Sequence, residues 1–303
     1  MSGIPSFTDS PTRVIMVGPR AVHCFDQAGE HRDEATIRSF GEEWGKFNSF
    51  DAEEIELAGN EYFDIVPSAL LGPEVVAMDL GCGSGRWTRY LSERVGRIEA
   101  IDPSEAVIHA ARTHGDLEHV RWIQAGVDNI PFADGSFDLL VCLGVLHHVP
   151  DTPGAVRKAA TKLRPGGHML LYLYYALDGR GWLYRTLFRA SDLLRRIIHG
   201  LPGPVKRLVC DLIALFVYWP LRTLARLARS ISGNGSWWVR LPLSHYHDKS
   251  ITVMRNDALD RFGTPLEQRF TKEEIRSMMT DAGLEDIRFS AKSPFWHAIG
   301  RKI

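Results

Sequence analysis

Residues 75–85 read Val-Val-Ala-Met-Asp-Leu-Gly-Cys-Gly-Ser-Gly, an apolar run that ends in an acid and gives way to glycines at 81, 83 and 85. The run suits a strand buried on both faces, and the glycines let backbone approach a ligand where a Cβ would collide. The chemistry is nucleotide binding, and the spacing bears on which nucleotide. A dinucleotide fingerprint is G-x-G-x-x-G, whereas here the third glycine comes one residue early and Arg86 stands where the last glycine belongs. Residues 86–94 read as a helix opening on the same ligand.

Asp79, just before the turn, suits a ligand carrying a cationic ammonium better than one carrying phosphates, because a carboxylate attracts the former and repels the latter. S-adenosylmethionine has such an ammonium. A second strand, 97–102, ends in Asp102, 17 positions after Gly85. There a carboxylate can accept the ribose hydroxyls, or serve as a turn acid before Pro103.

Further motifs follow in order: Asn-Ile-Pro-Phe-Ala-Asp-Gly-Ser-Phe-Asp-Leu-Leu-Val-Cys (129–142), Gly-Val-Leu-His-His-Val-Pro-Asp (144–151) and Leu-Arg-Pro-Gly-Gly-His-Met-Leu-Leu-Tyr (163–172). With the glycine turn they resemble the class I S-adenosylmethionine-dependent methyltransferases, closely over about 70–175 and loosely over 270–301. The resemblance implies that Asp79 lies at the methionine end, that Gly81, Cys82, Gly83 and Gly85 line it, and that Asp102, followed by Pro103, holds the ribose. It implies too that Leu143 and Gly144 pass close to the sulfonium. One position departs from the family. Gly126 stands where many relatives carry an acid for the adenine amino group. Asp128 or the backbone of Val127, with Ile130 and Trp122 as apolar walls, is left for that task, unless Asp128 is a solvated turn acid.

These residues need a scaffold. Strand and helix patterns alternate at 75–79, 86–94, 97–101, 104–113, 120–124, 137–142, 153–163 and 168–175, which predicts an α/β doubly wound parallel sheet with its ligand beyond the carboxyl ends of the strands. The family implies seven strands in a Rossmann-like core, with N-terminal cap helices and here a helical insertion after the fifth strand. Thr271 and Glu274 form a capping box for a helix over 271–282, stopped by Gly283, and strands at 286–290 and 295–300 close the sheet as an antiparallel pair. The expected organisation is a loosely ordered tail or small hairpin over 1–30, cap helices over 31–66, the core over 67–175, the insertion or lid over 176–268, and the rest of the core over 269–303. In the cap, Ile37, Phe40, Trp44 and Phe47 recur at helical spacing, and a second helix is expected from Ala52 to Phe63.

The insertion is basic and aromatic. Between Asp178 and Arg240 it holds eleven Lys or Arg against three Asp, a local charge of +8 in a chain of net −1. Helices are expected at Trp182–Ile198, Val205–Trp219 and Leu221–Ile231. Four uses fit: a lid over a hydrophobic substrate, a self-packed helical subdomain or homodimer contact with a solvated basic face, a peripheral membrane element with Arg222, Arg226 and Arg229 beside Leu221, Leu224 and Leu227, or a nucleic-acid surface. A near-neutral chain without an RNA-binding module argues against nucleic acid. The apolar run Leu208–Leu221 is shorter than the ~20 residues of a membrane span.

Catalysis asks for a base only where the acceptor must lose a proton. His147 and His148 follow the fourth strand, although family members often carry His there without such a role. The second group is His245, Tyr246 and His247, in which alternation along an extended segment would turn both histidines to one side; H-x-H spacing can also ligate a metal, but no acidic set accompanies it and no metal is expected. Arg255 and Tyr174 are candidates to orient an acceptor. Four scattered cysteines give neither a zinc motif nor a disulfide framework, and no secretory signal pattern is present, so a cytoplasmic enzyme is expected. The function expected is methylation of an oxygen or nitrogen, less readily a carbon, of a small, partly hydrophobic molecule. A non-catalytic S-adenosylmethionine-binding regulator and a nicotinamide oxidoreductase are the alternatives.

Overall fold

The computed structural model of the chain describes residues 4–44, 52–176, 182–232, 237–292 and 297–303. Two compact units emerge, Met1–Asp178 with Leu266–Ile303, and Gly179–Pro265.

The first unit is built on one mixed sheet of nine strands. In chain order these are β1 Arg13–Val17, β2 Arg20–Cys24, β3 Gly72–Leu80, β4 Val95–Asp102, β5 Val120–Gln124, β6 Phe137–Leu143, β7 Leu163–Tyr172, β8 Leu284–Phe289 and β9 His297–Lys302. Their order across the sheet is β1-β2-β5-β4-β3-β6-β7-β9-β8. The strands β5, β4, β3, β6 and β7 run parallel, and β9 and β8 close the far edge antiparallel. These seven strands fall where strands were expected, but the sheet itself has nine.

Two strands were not in the expected sheet. Residues 13–24, inside the stretch expected as a loosely ordered tail or hairpin, form an antiparallel hairpin whose second strand adds to β5, with Val22 beside Trp122. Val22 and Cys24 are buried while Arg13, Val14 and Met16 face out. Glycines and prolines around so short an alternation mask it in the sequence, and β5 supplies the pairing that the tail lacks alone.

Successive residues of the central strands feed opposite cores, as the two-residue strand period requires. Met78, Leu80, Leu140 and Cys142 pack with helices α5 (Thr152–Ala160) and α10 (Lys272–Asp281). Ala77, Leu139 and Val141 pack with α2 (Ala52–Tyr62), α3 (Arg86–Ser92) and α4 (Ala106–Thr113) on the other side. The capping box forms: Thr271 accepts from the Glu274 amide, and the Glu274 carboxylate from the Thr271 amide. Helix α1 spans Glu34–Trp44, and its Phe40 meets the His148 ring edge-on at 4.9 Å. Phe47 lies outside the described residues.

The second unit is helical: α6 Trp182–Ile198, α7 Gly203–Ile213, α8 Trp219–Ile231 and α9 Ile251–Gly263. The expected break near Pro220 does not occur. A π turn, Ala214–Tyr218, joins α7 to α8 and Pro220 sits in the first turn of α8, so the helix runs on from 203 to 231. Proline lacks the amide for an i→i−4 bond and its ring crowds the preceding carbonyls; a wider turn just before it relieves both.

Candidate functional site

The carboxyl ends of β3, β4 and β6 open on one cleft within the first unit. Leu80, Gly81, Pro103, Gly126, Val127, Asp128, Val145, Leu146 and His148 line it, and Gln27, His31, Arg32, Asp33 and Ile37 close it from the N-terminal side. Gly81, Pro103, Val127, Asp128 and His148, all anticipated from sequence, are thus brought together.

The glycine turn is held from behind. The amides of Gly81 and Cys82 donate to the Ile101 carbonyl at 2.7 and 3.0 Å, and the Gly83 amide donates to Asp102 Oδ2 at 2.9 Å. Gly81 has φ +80°, and a Cβ there would come within 2.3 Å of the Val145 side chain. Gly81→Ala therefore combines backbone strain of about 1–3 kcal/mol with a collision inside the cleft wall. A lower unfolding midpoint together with weaker S-adenosylhomocysteine binding is expected, measured by thermal shift and calorimetry.

Asp79 is 1 % exposed. Its Oδ2 accepts from Thr88 Oγ1 at 2.6 Å, whereas Oδ1, buried as well, has no partner among the described residues. Burial pushes the carboxyl up to about 7 against the Thr88 hydrogen bond, and the nearby Asp102 charge adds to the rise. A buried acid left half-satisfied in this way is unfavourable for the free protein and complementary to a cation.

Asp102 takes the turn role that the sequence offered as one of two. Oδ1 accepts from the Ser104 amide at 2.8 Å and from Ser104 Oγ at 2.6 Å, which starts the following helix, and Oδ2 holds Gly83. A carboxylate oxygen takes two donors, so Oδ2 keeps one site for a ribose hydroxyl. Burial raises this carboxyl too, opposed by the Ser104 and Gly83 bonds.

At the other end Asp128 is engaged. Its oxygens accept from the His31 amide (2.9 Å), face His31 Nδ1 (2.7 Å) and take the Lys158 ammonium (2.9 Å). Although burial opposes ionisation, the Lys158 and His31 bonds hold its carboxyl below the usual range. Asp128 ties the N-terminal segment across the cleft, and a single open site on Oδ2 is what remains for an adenine amino group. Sequence reasoning missed His31, 97 positions away, because no local pattern links the two.

The paired histidines divide. His148 lines the cleft; its Nδ1 lies 2.6 Å from the Leu266 carbonyl, which can only accept, so this nitrogen carries a proton, while Nε2 is buried without a partner among the described residues. His147 is fully buried behind it, stacked on Tyr174 at 3.9 Å, with neither ring nitrogen partnered among the described residues. Burial, then the proximity of His148 and Arg269, hold it well below the ordinary imidazole value. Residues 266–270 buttress the pair: Gln268 donates its amide to the His147 carbonyl and its side chain to the Val149 carbonyl. Gly144, in left-handed backbone at φ +79°, donates to the Tyr172 carbonyl, and Leu143 ends β6 buried beside it.

Residues 78–171 match the family described as "Methyltransferase domain". Over these residues the chain is similar to S-adenosylmethionine-dependent methyltransferases, as its motifs imply. Among its relatives, the ubiquinone biosynthesis O-methyltransferase of Marinobacter nauticus is 34 % identical over 100 residues, 31 % of this chain and 42 % of that protein. The protein of the same name from Acinetobacter baylyi is 30 % identical over 152 residues, 45 % of this chain and 62 % of the relative. The crystal structure of YcgJ from Bacillus subtilis is 29 % identical over 41 % of this chain and 53 % of that one, with a TM-score of 0.35. The chain spans about two fifths of the length of the first of these relatives.

Of the residues expected at the cofactor, Gly81, Pro103, Val127 and Asp128 line the cleft, whereas Asp79 and Asp102 are buried behind the glycine turn and do not line it. His245, Tyr246 and His247 belong to the second unit. The segment Ser244–Asp248 is a 3₁₀ turn rather than an extended strand, so the two histidines do not share a side; His247 pairs with Arg229 and packs on Trp238, and Tyr246 packs on Tyr218. Arg255 is engaged in a bidentate pair with Asp211. No cluster of three His, Cys, Asp or Glu suited to a metal ion occurs among the described residues.

Proposed function

We propose that this protein transfers a methyl group from S-adenosylmethionine to an oxygen, with nitrogen as the second choice, of a small, partly hydrophobic acceptor. The observation that carries the proposal is the buried Asp79 carboxyl behind the glycine turn, one oxygen of which has no partner among the described residues. Two relatives named as O-methyltransferases support oxygen as the receiving atom. Apolar walls at Ile37, Val145, Leu146 and Val149 support an acceptor with an apolar portion.

When bound, S-adenosylmethionine supplies a methyl group on a sulfonium, already a good leaving group, so in-line positioning provides much of the acceleration. Asp79 holds the ammonium, Asp102 the ribose, and the segment carrying His31, tied to Asp128, keeps water from the cleft. His148 takes the proton from the acceptor hydroxyl at Nε2, its tautomer fixed by the Leu266 carbonyl. His147 orients rather than accepts, because its burial weakens it as a base.

Incubating the protein with methyl-labelled S-adenosylmethionine and a series of hydroxylated aromatic compounds tests the proposal. Labelled ether and stoichiometric S-adenosylhomocysteine are expected. Tight cofactor binding with no transfer to any oxygen or nitrogen acceptor would leave the protein a cofactor-binding regulator.

Cofactor affinity follows Asp79. Only its ionised form pairs with the ammonium, and in the free protein this carboxyl ionises at about 7. S-adenosylhomocysteine affinity is expected to rise as pH increases from about 6 to about 8, with proton release on binding below the midpoint. Calorimetry in buffers of different ionisation enthalpy measures both, and affinity independent of pH across this range contradicts the assignment.

A further inference from the structure

The second unit presents an apolar ridge that its own fold does not cover. Its helix from Gly203 to Ile231 is 29 residues, about 44 Å long at 1.5 Å per residue. Cys210, Ala214, Tyr218, Ala225 and Ala228 are buried and form its inner face. Leu208, Leu212, Leu215, Trp219, Leu224 and Leu227 recur at three- to five-residue spacing on the outside, each between 43 % and 60 % exposed. Only 22 % of the helix's most apolar stretch is buried within the protein. So much contiguous exposed apolar surface marks an interaction site.

Charge identifies what covers it. Lys206 and Arg207 stand near one end of the ridge, Arg222, Arg226 and Arg229 near the other, with Lys206 bonded to the Gly263 carbonyl and Arg226 and Arg229 to His247. Asp211, the one acid in the helix, is neutralised by Arg255 through two bonds of 2.7 and 2.8 Å. The whole unit holds fourteen Lys or Arg against five Asp and no Glu. Two such ridges facing each other in a homodimer would bring like charges together, and nucleic acid would leave the leucines in water. We propose that this helix lies in the surface of an anionic lipid bilayer, with its leucines and Trp219 among the acyl chains and its basic residues at the headgroups.

By length and composition the helix could cross a membrane. It lies flat for two reasons. The uncharged run between Asp211 and Arg222 is ten residues, about 15 Å, half the ~30 Å of a hydrocarbon core. Its inner face is occupied by packing within the unit. The proposal is independent of the methyl acceptor.

The test sediments the full chain with vesicles of phosphatidylcholine alone and of phosphatidylcholine containing about 30 % phosphatidylglycerol. Binding to the anionic vesicles is expected to be at least about tenfold tighter, and to weaken steeply in high salt. The variant Leu212→Glu, Leu215→Glu, Leu227→Glu should lose it while retaining S-adenosylhomocysteine affinity and helical circular dichroism. Equal or absent binding of the unmodified protein to the two vesicle types overturns the proposal without any variant. So does a folded triple variant that still binds, resistance of the bound protein to alkaline carbonate extraction, as a spanning helix would give, or a dimer that the triple variant dissociates in a protein that ignores vesicles.

Discussion

Replacing Asp79 by Asn is expected to weaken S-adenosylhomocysteine binding roughly ten- to a hundredfold, the 1.5–3 kcal/mol of a hydrogen bond to a charged group. The substitution keeps shape and an acceptor for Thr88 Oγ1, and removes the charge that the ammonium needs. Its effect on the free protein has the opposite sign. The Asp79 carboxyl ionises at about 7 when folded and near 3.8 when exposed. Between those values the folded state holds a proton that the unfolded state has released, so this group's contribution to stability falls as pH rises from about 4 to about 7, by an amount on the order of a few kcal/mol. Asp79→Asn should therefore be more stable than the parent at pH 8, with the gap closing near pH 4, as urea unfolding at the two values measures. Weaker binding combined with lower stability at pH 8 would mean that Asp79 holds the fold and not the ligand.

The second large effect is expected at His148. His148→Gln retains a donor for the Leu266 carbonyl and removes the basic nitrogen, and kcat for a hydroxyl acceptor is expected to fall by about 10²–10⁴. Affinity for S-adenosylhomocysteine should be largely kept. The discriminating measurement uses acceptors already ionised at the assay pH. They need no base, so the variant should approach the parent on them; an equal loss on ionised and neutral acceptors would make His148 a packing residue. His147→Gln should have a much smaller, acceptor-independent effect.

Most of the cofactor end was legible in the sequence because it is local. The strand, the acid and the glycines lie within eleven residues, and a positive φ at Gly81, Gly83 and Gly85 is what that spacing demands. The capping box at Thr271 and Glu274 was visible for the same reason. The features missed are non-local. His31 reaches Asp128 across 97 positions, Leu266 fixes the His148 tautomer across 118, and the hairpin at 13–24 finds its partner at Val120–Gln124. Thr88 left only a trace, a hydroxyl between Trp87 and Tyr90 on a buried helix face. Pro220 misled because a proline reads as a stop until the π turn before it is known.

Asp79 is the proposed ammonium site. Calorimetric titration of the unmodified protein at pH 6.5 with S-adenosylhomocysteine and, separately, with NAD tests it most directly. The account predicts one-to-one binding of S-adenosylhomocysteine, with proton release that disappears in Asp79→Asn, and no heat of binding from NAD. Binding of NAD without S-adenosylhomocysteine, or S-adenosylhomocysteine binding unchanged by Asp79→Asn, would contradict it.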